Sequence, residues 1–531
     1  MHGRGSGGLH VSHHSGGVLC ARLGDELRGI ARSFAQTREH PWLSLAYCAY
    51  ALWMSGAIVG PALRVARIAA LPPLVALLVP FCLVGVFCLV LALWFKRTRT
   101  AFDQPEYRAF VVATMMLGSL CHALAALGLV ELSEGGEALL YVLGCLFTAV
   151  GMSLFRIEMD RAFGWIGARR TLFHALVGTL LMLPLGLLVT FVPTLVGLAL
   201  TTLLPVLAMA LLSRETRRFP HERYYGWGAR VELPVPTQFI ATSFVQGVAL
   251  GVLYAGLCVP GAAGVGALVG AFGAAGQTQT LRVVGLVALP LGALLVLLTT
   301  MLIRMDYNRL LYKVGFPLVA LGFVLLSVAP GLTVPGELAF FSACIYLDLI
   351  LWSLGAFIMK SMGMPAVWIA SFPGAGLYLG TAAGVILMGV AGRLVPQGVP
   401  TVLAACLMLA ASLFLLSDRN LRSGWGTFQL GSRKEVASSL EAALSYPCVE
   451  NALTPREAEV VRYLADGLTR QAVAAEMSVS EETVKTHTRG IYRKLDVHSQ
   501  AELVQLVEKT RAFMRDAEAR DHEPDLPGLD G

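Results

Sequence analysis

Charged residues are scarce in this chain: Asp, Glu, Lys and Arg make up 14% of its 531 residues, whereas hydrophobic residues make up 56%. A chain built throughout of ordinary soluble domains, in which about a quarter of the residues are charged, is therefore excluded. The ten cysteines contain no C-x-x-C motif, and most of them fall within apolar stretches. We expect small buried thiols rather than a disulfide framework or a metal site, and we predict no cofactor.

Motifs for secretion and catalysis are also missing. The first apolar run begins near Leu43 and lacks a small-residue cleavage site, so no secretory signal peptide is predicted. The sequence shows no receiver domain, no kinase or nucleotide motif and no catalytic triad spacing. We therefore expect that the protein is not an enzyme.

What the chain has instead is a series of apolar runs long enough to span a membrane as helices. The longest polar loop, Arg214 to Pro236, divides them into six and six. The fold class is predicted as all-α, with a polytopic membrane bundle of about twelve spans. We place the spans near 43–63, 69–95, 109–130, 138–155, 171–191, 194–213, 239–259, 283–303, 314–330, 338–359, 366–390 and 400–417.

Positive residues gather in alternate predicted loops, and positive loops stay in the cytoplasm. One set lies between residues 96 and 108, the next between 156 and 170, and others between 214 and 230 and between 304 and 313. This pattern predicts that both termini are cytoplasmic.

The membrane layout resembles that of the major facilitator superfamily, in which two helix bundles surround a central cavity. The facilitator signature loop, G-x-x-x-D-R-x-G-R-R after the second span, is absent, because Phe95 to Arg108 reads FKRTRTAFDQPEYR. The resemblance therefore implies the fold, and the missing loop favours a sensor over an active transport cycle.

Asp348 is the acidic residue deepest within a predicted span, and no Lys or Arg inside the spans offers it a clear partner. A carboxylate at that depth costs about 2.5 kcal/mol or more, so it marks a cavity or a partner. Two interpretations stay open: a ligand- or proton-linked role, or a neutral carboxylate hydrogen-bonded between helices. The other ligand-sensing candidates are polar or aromatic residues at span positions, for which packing or a helix–helix hydrogen bond is the commoner role: Trp352, His122, His174, Gln246, Tyr254 and Tyr378.

The stretch from Leu453 to Val507 differs from everything before it and carries several helix-start signals. Thr454 to Glu457 forms a capping box with Pro at the first helical position. Ser480 is a good N-cap for a third helix, and Ser499 to Glu502 is a second capping box that opens a fourth. Four helices are therefore predicted.

The second and third of these helices, Arg470 to Met477 and Glu481 to Leu495, are joined by a three-residue turn. Two such helices form a helix-turn-helix, whose second member normally lies in the DNA major groove. The stretch resembles the LuxR/NarL-type helix-turn-helix in the motifs Leu453-Thr454-Pro455-Arg456-Glu457, Gly467-Leu468-Thr469, Val473-Ala474, Thr483-Val484-Lys485-Thr486-His487 and Ile491-Tyr492-Arg493-Lys494-Leu495.

The resemblance implies roles for individual residues of the third and fourth helices. Lys485, Thr486 and Arg489 read bases, since Lys and Arg suit guanine and a Thr methyl suits thymine. The residues that hold phosphates or pack are Thr483, His487 and Arg493. The fourth helix supplies the dimer contact through Leu503, Val504 and Leu506.

Two departures from the family pattern stand out. Gln500 stands where Arg is usual, and Arg470-Gln471-Ala472 stands where Asn-Lys-Glu is common. They bear on a phosphate contact and a helix-packing bond, respectively. The domain's opposite charges nearly cancel, so we expect weak monomeric binding and a homodimer on paired half-sites of double-stranded DNA.

The whole chain is thus predicted as a membrane-embedded one-component transcription regulator of the bacterial cytoplasmic (inner) membrane. A small molecule of apolar or aromatic character would control DNA binding through the membrane domain. The alternative is a facilitator-like secondary transporter with a fused regulatory DNA-binding domain; a bare membrane anchor is a third possibility. The predicted segments are a cytoplasmic tail (1–42), a membrane sensor domain (43–417), a cytoplasmic linker (418–452), the helix-turn-helix domain (453–510) and a disordered acidic tail (511–531).

Overall fold

The structure, a computed structural model, is helical in every region it describes, with short turns and no strand among the described residues. This confirms the all-α prediction. The described residues are 31, 34–59, 71–94, 105–127, 133–192, 194–219, 237–258, 283–302, 307–328, 332–362, 365–394, 399–415, 454–465, 470–477, 479–495 and 503. Most of the tail predicted for 1–42, the linker of 418–452 and the acidic tail of 511–531 lie outside them.

Each predicted span corresponds to a helix. In chain order they are α1 (Pro41–Met54), α2 (Pro73–Leu93), α3 (Pro105–Leu127), α4 (Glu134–Ile166), α5 (Ala168–Phe191), α6 (Thr194–Thr216), α7 (Thr237–Cys258), α8 (Val283–Thr300), α9 (Phe316–Val328), α10 (Thr333–Met362), α11 (Ala366–Leu394) and α12 (Val399–Leu415). A π-helical turn, Ser55–Val59, follows α1, and another, Leu310–Gly315, leads into α9.

Within the described residues, ten helical segments are long and apolar enough to cross a membrane. Nine of them correspond to α2–α8, α10 and α11, and the tenth combines α9 with its π-helical turn as Leu310–Val328. The apolar helices α1 and α12 are shorter and occupy the first and last predicted spans. Large apolar side chains such as Leu195, Leu413 and Phe414 are exposed on the outer surface. Hydrocarbon around the bundle would accommodate these side chains.

The division of the predicted 171–213 region into two spans is correct. Helix α5 ends at Phe191 and α6 begins at Thr194. The predicted fourth span ends at residue 155, whereas α4 continues as one helix to Ile166. Its 33 residues correspond to about 50 Å at 1.5 Å per residue, longer than the roughly 30 Å of a hydrocarbon core.

This longer helix corrects the predicted loop of positive charges between residues 156 and 170. Only Gly167 separates α4 from α5; its φ of 90° favours a residue without a Cβ. Arg156 and Arg161 are therefore helical, and they form ion pairs with Asp160 and Glu158, respectively. The apolar pattern predicts that the fourth span ends before Arg156. The ion pairs with Asp160 and Glu158 compensate the charges of the two arginines, so the helix can continue past them.

Helices α7 and α11 approach each other closely, and both contribute glycines at four-residue spacing to the contact. A Cβ on Gly251 would overlap the carbonyl oxygen of Thr381, and a Cβ on Gly380 would overlap that of Phe244. Glycines let membrane helices pack backbone against backbone, which supplies contact energy where no hydrophobic driving force exists.

The C-terminal helices are α13 (Pro455–Ala465), α14 (Arg470–Glu476) and α15 (Glu481–Leu495). They agree with the predicted boundaries to within one residue where the structure describes them. Their shared core is formed by Val460, Val461, Leu464, Val473, Ala474, Met477, Val484, Ile491 and Leu503. Leu503 is helical and buried, whereas Val504 and Leu506 lie outside the described residues.

Candidate ligand cavity and nucleic-acid interface

A cavity lies between the first six and the last six membrane helices. Its lining comes from α1, α2 and α4 on one side and from α7, α10 and α11 on the other. Its volume is about 70 Å³, which is room for roughly five to seven water molecules at about 10–15 Å³ each. Its polar and aromatic lining residues are Tyr50, Ser153, Arg156, Asp160, Phe239, Ser243, Gln246, Asp348, Trp352, Ser371 and Tyr378.

Asp348 and Gln246, both predicted as sensing candidates, meet in this cavity. The Gln246 side chain donates a hydrogen bond from Nε2 to Asp348 Oδ1 over 3.0 Å. Asp348 is exposed although it lies within α10, because its side chain faces the cavity. Gln246 is only 1% exposed, and its Oε1 has no hydrogen-bond partner among the described residues.

Arg156 contributes a positive charge to the same cavity. Its Nε lies 2.9 Å from Asp160 Oδ2, and its guanidinium carbon lies 3.3 Å from the centre of the Trp352 ring. Arg156, which the sequence placed in a loop, therefore lines the same cavity as Asp348, although its ion pair is with Asp160. The i, i+4 spacing of Arg156 and Asp160 is typical of a continuing helix.

Trp352 is held from its other sides by aromatic rings. Tyr47 and Phe163 pack edge-on against it with ring centres 5.5 Å and 5.2 Å away. Edge-to-face pairs of this kind add about 0.5–1.5 kcal/mol beyond area burial. The indole plane is thus fixed, and the position of the Arg156 guanidinium over it is fixed as well. Because Arg156 is on α4 and Trp352 on α10, this contact joins the two halves.

The remaining sensing candidates lie away from the cavity lining. His174 Nδ1 is 2.9 Å from Ser44 Oγ, which is the helix–helix hydrogen bond expected as its commoner role. The His122 ring lies 5.7 Å from that of Tyr141, and the Tyr254 ring stacks on Phe81 at 5.9 Å.

The third helix of the C-terminal domain, α15, has the two faces that the sequence predicted. Val484, Thr488 and Ile491 are buried. The opposite face carries the predicted DNA-contacting residues: Thr483, Thr486, Arg489 and Arg493 are exposed, and Lys485 and His487 are partly exposed. The Lys485 ammonium pairs with Glu482 at 3.2 Å, an exposed contact of little energy. The ammonium can therefore leave it for DNA.

Two predicted N-caps are confirmed, and they stabilise the first turns of α13 and α15. Thr454 N donates to Glu457 Oε2 over 2.6 Å, and Glu457 N donates back to Thr454 Oγ1 over 3.3 Å. Ser480 Oγ accepts from Thr483 N over 3.2 Å. The side-chain oxygen satisfies an amide that the helix leaves unpaired at its start.

Ser480→Ala should loosen the start of α15 by about 1 kcal/mol. Hydrogen exchange of the first-turn amides in the full chain should then accelerate about fivefold. Ser480→Asp, which keeps an acceptor oxygen, is the matched control and should preserve protection. Equal protection in Ser480→Ala would show that this cap does not hold the helix start.

Helices α13, α14 and α15 define the chain's C-terminal part as a helix-turn-helix DNA-binding domain. Residues 451–507 match the family model described as "Bacterial regulatory proteins, luxR family". The C-terminal domain is therefore a LuxR-family domain.

Curated relatives match the chain in this domain. A nitrate/nitrite response regulator protein homolog of Haemophilus influenzae is 51% identical over 49 residues, 9% of this chain and 24% of that protein. Nitrate/nitrite response regulator protein NarP of Escherichia coli is 47% identical over 47 residues, 9% of this chain and 22% of that protein. The chain thus spans only about a quarter of the length of these relatives.

Solved transporter structures overlay the membrane helices loosely. The major facilitator superfamily proton:xylose symporter XylE matches with a TM-score of 0.48 and 12% identity, over 70% of this chain and 94% of that one. A bacterial homologue of the iron transporter ferroportin matches with a TM-score of 0.45 and 15% identity, over 71% and 97%. Overlaps this loose assign no activity to the membrane helices.

Proposed function

We propose that the chain is a membrane-embedded, one-component transcription regulator. A small molecule binds in the cavity between the two helix halves, and the C-terminal domain binds promoter DNA as a homodimer. Both chain termini lie in the cytoplasm of a bacterium, with the helices in the inner membrane. The observation that carries the proposal is the presence, in one chain, of a LuxR-family domain and a polar cavity inside an apolar helix bundle.

A ligand bound in the cavity would contact helices from both halves of the bundle. Arg156 on α4 stacks on Trp352 of α10, and Gln246 on α7 bonds to Asp348 of α10. A ligand inserted among these four side chains changes contacts between helices of both halves. Such a ligand shifts an equilibrium between two bundle arrangements only through its difference in affinity for them.

Dimerisation links that shift to DNA occupancy. Two weak helix-turn-helix modules bind paired half-sites far more tightly when they are held together, because the second contact becomes intramolecular. Leu503 is already buried against the core of its own domain. The proposed dimer contact therefore relies on the following Val504 and Leu506.

The proposal predicts a compound-dependent change in transcription that requires both ends of the chain. We expect a reporter placed in the gene's own neighbourhood to respond to at least one compound of a small-molecule panel. Lys485→Ala combined with Arg489→Ala should abolish the response, and Asp348→Asn should shift its dose dependence at least tenfold at unchanged protein level.

Glu337→Gln is the matched control for Asp348→Asn, because Glu337 is an acid on the same helix and outside the cavity lining. It should leave the dose dependence unchanged. A reporter that ignores every compound, together with uptake of a compound into vesicles, would replace the proposal with a transporter that carries a regulatory domain.

A further inference from the structure

We propose that the cavity selects a small organic cation, namely a protonated amine that carries an aromatic or apolar group. The inference rests on the proposed function, since it names the class of ligand for the same cavity. It differs from the sequence-based expectation of an apolar or aromatic molecule by requiring a positive charge.

The residues that line the cavity include more acidic than basic side chains, which favours binding of a cation. Arg156 is the single cationic residue among the described residues that line the cavity, and Asp160 and Asp348 are both carboxylates. Arg156 is held by Asp160 at 2.9 Å and by the Trp352 ring at 3.3 Å. When both carboxylates are ionised, the single positive charge of Arg156 balances only one of them. Arg156 forms its ion pair with Asp160, so the uncompensated negative charge lies on the Asp348 side of the cavity.

The hydrogen bonds of the lining also favour a cationic ligand, since one buried acceptor has no donor among the described residues. Gln246 Nε2 donates a hydrogen bond to Asp348. The Gln246 side chain is buried, yet its Oε1 has no hydrogen-bond partner among the described residues. A buried acceptor without a donor is costly. An ammonium group brings N–H donors that can satisfy both the Gln246 oxygen and the Asp348 carboxylate, whereas a carboxylate ligand brings only further acceptors.

The rest of the lining suits an organic rather than an inorganic cation. Tyr50, Phe239 and Tyr378 add aromatic surface to the walls, and aromatic faces attract organic ammonium groups. Among the described residues, no cluster of three or more His, Cys, Asp or Glu side chains could hold a metal ion. The polar groups would orient the ammonium while the aromatic walls accommodate its apolar part.

The test uses three probes of similar shape and different charge on the purified full-length protein in detergent: 2-phenylethylammonium, 2-phenylethanol and 3-phenylpropionate. Binding is measured by isothermal titration calorimetry and by the shift in the thermal unfolding midpoint. We expect the ammonium probe to bind at least tenfold more tightly than the alcohol, and the carboxylate to bind more weakly than the alcohol.

Variants connect this preference to the two acceptors. Asp348→Asn should lower affinity for the ammonium probe at least tenfold and leave affinity for the alcohol within twofold. Gln246→Met keeps the side-chain length but removes both the free Oε1 and the Nε2 donor to Asp348, and it should weaken binding of the ammonium probe by a smaller factor. Glu337→Gln should bind like the unmodified protein. Size-exclusion profiles establish whether each variant is folded. If Asp348→Asn does not fold, Gln246→Met serves as the test.

Two results would overturn the inference: equal affinity for the ammonium and the alcohol, or an ammonium affinity indifferent to both Asp348→Asn and Gln246→Met. Its failure is distinct from failure of the proposed function. If the ammonium binds through Asp348 but no cationic or other compound alters the reporter, the ligand class holds and the regulatory role fails. If the reporter responds only to neutral or anionic compounds, the regulatory role holds and the ligand class fails.

Discussion

Replacing both Lys485 and Arg489 with alanine is expected to abolish sequence-specific DNA binding. Both side chains reach solvent from the polar face of α15, where they can contact base edges in the major groove. Each good base contact is worth about 1–3 kcal/mol, so losing two costs about 2–6 kcal/mol of binding free energy. Footprinting of the full chain on promoter fragments from the gene's neighbourhood measures the loss.

The same experiment includes a control on another helix. Arg456 is exposed on α13, where it pairs with Glu459 at 2.9 Å, and Arg456→Ala removes a positive charge without changing the exposed face of α15. It should keep the footprint pattern. The double variant should remain folded, because the core of the domain is formed by other residues. An unchanged footprint in the double variant would show that α15 does not read the operator through these side chains.

Gly380→Ala is expected to destabilise the membrane domain by about 3 kcal/mol, the upper end of the usual cost of overpacking. A Cβ at this position meets the carbonyl oxygen of Phe244 on α7. The obstacle is backbone, which cannot rotate away as a side chain can, so the two helices must separate. Thermal unfolding of the detergent-purified chain, followed by size exclusion, should show a clearly lowered midpoint.

Gly285→Ala provides the opposite result from the same chemical change. A Cβ at Gly285 on α8 meets no heavy atom within 4 Å. Alanine is the better helix former by about 1 kcal/mol, so the midpoint should stay constant or rise. If both variants behave alike, close approach of α7 and α11 does not contribute to stability.

Much of the fold follows from local sequence because the signals lie within single elements. The break between α5 and α6 was readable from Phe191-Val192-Pro193, and the start of α13 from Thr454 to Glu457. Caps and prolines act on backbone groups a few residues away, so their consequences need no knowledge of the remaining chain. The buried and exposed faces of α15 were equally readable from its 3.6-residue period.

The end of α4 shows where such local interpretation failed. Charged residues from Arg156 onward resembled a cytoplasmic loop, yet they continue the helix because Asp160 and Glu158 pair with Arg156 and Arg161. The candidate site was affected in the same way. Asp348, Gln246 and Trp352 were identified individually, whereas Arg156 and Asp160 were missed.

The all-α class, the order of the apolar helices and the bounds of α15 follow from composition, periodicity and caps, because these are properties of neighbouring residues. Which side chains share the cavity depends instead on how the helices pack. Arg156 lies far from Trp352 in the chain, as Gln246 does from Asp348, and nothing in the local sequence of either fixes the distance between them. Packing of α4, α7 and α10 brings these side chains together, and it makes a polar, cation-selective cavity a testable inference.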